Sequence, residues 1–66
     1  MKITISLRVE GELDGFVPVK AEVGAESLHM RMEPGVMLID AVMDTEGVLF
    51  QLFEAKTNEL LKSRKA

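Results

Sequence analysis

Ser27-Leu28-His29-Met30-Arg31-Met32-Glu33-Pro34-Gly35-Val36-Met37-Leu38-Ile39-Asp40-Ala41-Val42-Met43 decides the fold, because it accepts two readings. As a helix, it starts with Pro34 at the first helical position and runs to about residue 63, which its Met, Leu and Ala favour. As strands, Leu28, Met30 and Met32 alternate with Ser27, His29, Arg31 and Glu33. Pro34-Gly35 is then the central pair of a type II turn, proline second and glycine third. A hairpin closed by that pair opposes residues whose numbers sum to 69. Met32 meets Met37, Met30 meets Ile39, Leu28 meets Ala41, and His29 faces Asp40. Gly35, Gly47 and the Asp44-Thr45 pair count against the helix. The hairpin is therefore preferred, with 36–43 as part of one long helix the open alternative. A type II turn suits strand twist less well than the primed types, which predicts some splay or a longer loop.

Upstream, Ile3, Ile5, Leu7 and Val9 alternate with polar residues, the two-residue period of a half-buried strand. A second alternation puts Val17, Val19, Ala21 and Val23 on one face, with Pro18, Lys20 and Glu22 on the other. The turn-rich segment Gly11-Glu12-Leu13-Asp14-Gly15 lies between them. A three-residue loop, Leu13-Asp14-Gly15, would pair Val9 with Val19, Leu7 with Ala21 and Ile5 with Val23. That predicts Gly15 in the left-handed conformation. Pro18 has no N–H to give, so that edge must face solvent or a bulge.

Downstream, Asp44 or Thr45 can cap a helix, Glu46 suits its first turn, and Lys62, Arg64 and Lys65 suit its last. Val48, Leu49, Leu52, Phe53, Ala55 and Leu60 form a stripe that can lie on a sheet. Phe50 and Leu61 fall roughly 200° and 220° from Val48 at 100° per residue, beyond that stripe. The expected fold is α+β: a single domain over residues 1–66, a small four-stranded antiparallel β-meander with one C-terminal α-helix on one face (ββββα). Its strands lie at about 2–10, 16–24, 27–33 and 36–43, and its helix at about 45–64.

Composition narrows the function. The chain has 66 residues, no Cys and 47% hydrophobic content. A domain this small buries only about 60% of its unfolded surface, and such folds usually lean on disulfides, a metal or association. Without Cys, and with His29 the one histidine, disulfides are excluded and a structural zinc site is not expected. The net charge is −3, and residues 1–54 carry four basic and ten acidic side chains, a net of −6. That argues against direct nucleic-acid binding and against a membrane surface as partner. No apolar run is long enough to span a bilayer and no signal peptide is visible, so a cytoplasmic protein is expected.

His29 opposite Asp40 has the residue types of a general base and its orienting group, with Ser6 and Ser27 as nearby hydroxyls. The partners for such chemistry are poor, and a cross-strand polar pair is the preferred reading. The glycines never cluster into a phosphate-cradling loop. No catalytic residue, metal or cofactor is assigned, and the chain is read as not an enzyme. Met30, Met32, Met37 and Met43 read as adaptable core filling.

One feature has no place in this core. Val36, Leu38 and Val42 fall on the sheet face opposite it, and with Phe50 and Leu61 they form surplus apolar surface. These five residues are the expected interface of a homo-oligomer. The expected function is a non-enzymatic protein–protein interaction or assembly protein. Its charge also suits a small acidic inhibitor of a larger protein, of the sort bacteriophages and mobile elements encode. The alternative is a small-anion or nucleotide binder at a subunit interface, with Arg8, Lys20, Arg31, Lys62 and Arg64 as contacts.

Overall fold

Four strands and one helix form from these segments in a computed structural model that describes residues 1–11 and 13–63. β1 spans Lys2–Glu10, β2 Lys20–Val23, β3 Glu26–Glu33 and β4 Val36–Asp44, and α1 spans Val48–Ser63. The strands form one antiparallel sheet of order β1-β4-β3-β2, with the helix packed on one face. The architecture is α+β, ββββα.

The deciding stretch is a hairpin. β3 and β4 pair as Leu28↔Ala41, Met30↔Ile39 and Met32↔Met37, the register that Pro34-Gly35 dictates. Gly35 has φ +75°, as the third residue of a type II turn requires. Pairing continues to Glu33↔Val36, so no longer loop intervenes.

The expected hairpin between the first two strands does not form. β1 and β2 are the opposite edges of the sheet, and β1 pairs with β4 as Ile3↔Met43, Ile5↔Ala41, Leu7↔Ile39 and Val9↔Met37. Only β2, β3 and β4 form a meander; β1 returns beside β4 in a Greek-key order with the long connection first. The nine-residue β1 gains an unbroken ladder, apolar on one face. β2 has only four residues and starts after Pro18. A hairpin tip would also leave Leu13 in water. The connection across the sheet instead buries Leu13 and Phe16, which are 9% and 8% exposed, and turns Val17 outward. Gly15 still takes the expected left-handed φ, +80°, in a turn closed by the Phe16 N–H on the Leu13 carbonyl at 3.1 Å.

Leu28, Met37 and Met43 are fully enclosed, among Met30, Ile39, Ala41 and the helix's Leu49 and Leu60. The inward stripe of α1 runs through Leu49, Phe53, Lys56 and Leu60, while Val48 and Ala55 of the expected stripe are exposed. Lys56 lies in that stripe because its stem is apolar. Its Nζ sits 4.7 Å from the Phe16 ring centroid and 3.1 Å from Glu59 Oε2. The helix begins later than expected. Asp44 accepts the Glu46 N–H on its carboxylate (2.9 Å) and the Gly47 N–H on its carbonyl (2.8 Å). Gly47 then occupies the cap position, its carbonyl accepting the Gln51 N–H.

Candidate interaction surfaces

The face away from the helix carries the residues that sequence reasoning singled out. Across it run the rows Glu10–Val36–Glu33, Arg8–Leu38–Arg31, Ser6–Asp40–His29–Lys20 and Thr4–Val42–Ser27–Glu22. Each apolar residue of β4 is thus flanked by long or polar neighbours. Val36 is only 8% exposed, and Leu38 and Val42 are half-buried. β4 is also a central strand, so it offers no open edge to a second chain. On the helix, Phe50 packs against the core, its ring centroid 6.2 Å from that of Phe53. Of the five expected interface residues, Leu61 alone is largely open, at 60% exposed.

Arg8, Lys20 and Arg31 do gather on this outer face. Each arginine is met by a glutamate two residues along its own strand: Arg8 Nε lies 3.2 Å from Glu10 Oε2, and Arg31 Nε lies 3.4 Å from Glu33 Oε2. Lys62 is exposed in the last turn of α1, on the other side of the sheet, and Arg64 lies outside the described residues. A hollow of about 210 Å³ is lined by Lys20, His29, Met30, Arg31 and Asp40. His29 faces Asp40 in register, but its Nε2 lies 2.9 Å from Glu22 Oε2. Asp40 instead accepts the Ser6 hydroxyl at 3.3 Å. Hydroxyl and imidazole end on different carboxylates, so Ser6 and His29 are not joined as nucleophile and base. Among the described residues no group of three or more His, Asp or Glu side chains could hold a metal ion.

Open apolar surface lies on the other face, along β1. A helix is about 10 Å across, whereas four strands about 4.8 Å apart present a face nearly twice that width. α1 lies over β3 and β4. Ile3, Ile5, Leu7 and Val9 point to this side, yet none is buried, and Leu7 is 47% exposed. Val23 at the opposite edge and Met32 near the hairpin end are exposed as well. The β1 row was not among the expected interface residues. Its alternation marks it as inward, and only the strand order shows that inward here means marginal.

Among the described residues no helix is long and apolar enough to cross a membrane. Comparison with known protein families, curated proteins and solved structures gives no match to this chain.

Proposed function

We propose that the chain is a non-enzymatic protein–protein interaction and assembly protein that acts as a homo-oligomer. The observation that carries this reading is the aliphatic row Ile3, Ile5, Leu7 and Val9 on an edge strand, where Leu7 is exposed and the other three, though packed against the core, are only half-buried. Full burial of one such side chain stabilises by about 1.5–3 kcal/mol. A domain of 66 residues without a cysteine gains from association what larger chains obtain from a bigger core. A second copy supplies both an apolar face and a strand. A cytoplasmic location goes with this reading. Light scattering across the micromolar range tests it: the wild type gains mass with concentration, and Leu7→Arg stays folded at 7.3 kDa. A wild type that keeps the single-chain mass throughout would refute it.

Within that class, the acidic body suits an inhibitor that contacts a basic surface of a larger protein, since opposite charge speeds encounter. Such binding weakens as salt is raised; binding indifferent to salt would argue against the inhibitor role. The small-anion alternative has the hollow beside Lys20, His29 and Arg31 in its favour, and Asp40 and Glu22 against it. A melting temperature raised by inorganic phosphate would support that alternative.

A further inference from the structure

We infer that two copies of the chain join through β1, antiparallel and centred on Ser6, to make one continuous eight-stranded sheet. This rests on the self-association reading and specifies its contact. The backbone of β1 already shows which groups are available. The Thr45 N–H bonds the Met1 carbonyl at 2.9 Å, and the Gly11 N–H bonds the Gly35 carbonyl at 3.4 Å. Both extend the β1–β4 ladder, in which opposing residue numbers sum to 46. In an antiparallel ladder a residue's N–H and C=O point to the same side, alternating along the strand. The odd-numbered residues of β1 therefore face β4. Lys2, Thr4, Ser6, Arg8 and Glu10 direct their backbone groups to the free edge.

The sequence of β1 is complementary to itself in one register. Apolar faces agree between copies only if opposing numbers sum to an even value. A sum of 10 sets Lys2 against the partner's Arg8, like against like. A sum of 14 leaves Lys2 beyond the end of the partner's strand. A sum of 12 uses every residue of Lys2–Glu10 and sets Lys2 against the partner's Glu10 and Thr4 against the partner's Arg8. Ser6 meets its own copy on the two-fold axis. These even-numbered pairs are the ones whose backbone groups are free, so the ladder can close completely. Ile3 then opposes the partner's Val9 and Ile5 the partner's Leu7, in the non-hydrogen-bonded positions where side chains approach most closely.

The opposite edge explains why association stops at two. β2 has four residues and follows Pro18, a short edge of the kind that resists further pairing. The contact uses the same patch on both copies and closes on itself.

With no native cysteine, a single introduced thiol reports the register. Ser6→Cys places two Cα atoms about 5.5 Å apart, within disulfide range, and mild oxidation should give a covalent dimer. Arg8→Cys places them about 14 Å apart and should not. Lys2→Glu or Glu10→Lys alone brings like charges together twice per dimer and should weaken dimerisation about tenfold; the double exchange should return to within about twofold of wild type. A dimer in which Arg8→Cys cross-links as readily as Ser6→Cys, or in which the double exchange restores nothing, overturns this contact while leaving self-association standing. A wild type that remains a monomer overturns both.

Discussion

Asp44 is the residue where four elements meet. Its carboxylate accepts the Glu46 N–H and lies 3.2 Å from the Met1 amino nitrogen, while its own N–H bonds Glu26 Oε1 at 3.0 Å. The end of β4, the starts of β1 and β3 and the approach to α1 are tied there. The Glu46 N–H first, and then the Met1 amino group, hold the Asp44 carboxyl below its ordinary value of 3.8. A group depressed in the folded state contributes stability that is complete above its unfolded value and lost as pH falls through the folded one. Asp44→Asn keeps an oxygen for Glu46 but cannot titrate. We expect it to flatten the decline of stability below about pH 4, read by urea unfolding over a pH series; an unaltered acid limb would count against the assignment. Glu26→Ala leaves the half-buried Asp44 N–H without its acceptor and should cost about 1–3 kcal/mol. Glu26→Gln should cost less, since an oxygen remains.

At the scale of elements, the connection between β1 and β2 separates two folds with the same strand count. In a hairpin, Val17 would point inward and Phe16 outward. Across the sheet, Phe16 is enclosed under Lys56 and Val17 is exposed. Phe16→Ala should therefore destabilise by about 3 kcal/mol, while Val17→Ala should change stability by less than about 0.5 kcal/mol; chemical denaturation giving the reverse order would restore the hairpin. The β3–β4 register was legible because Pro34-Gly35 fixes it locally, through two residues with stringent backbone demands. The partner of β1 was not. Alternation says which face is buried and says nothing about which strand lies alongside, and pairing with β2 or with β4 satisfies the same parity. The helix was legible as an element, but Lys56 reads as polar and Val48 as apolar, so the inward stripe is turned from the one that hydropathy alone draws.

For the whole molecule, surplus apolar content was visible from composition, whereas its address was not. In the outer strip Val36 is flanked by Glu10 and Glu33, Leu38 by Arg8 and Arg31, and Val42 by Thr4 and Ser27, which a list of apolar positions cannot convey. Partly open apolar surface lies instead along β1, where one helix fails to reach across four strands. That placement makes the edge of β1 the centre of the functional account, and amide hydrogen exchange reads it most directly. The amides of Ile5 and Leu7 face β4 and should be protected in any state of the folded chain. Those of Thr4, Ser6 and Arg8 face the free edge. If a second copy pairs there, they should be protected to a similar degree at high concentration and lose that protection on dilution. Thr4, Ser6 and Arg8 amides that exchange freely at every concentration, beside protected Ile5 and Leu7, would contradict it.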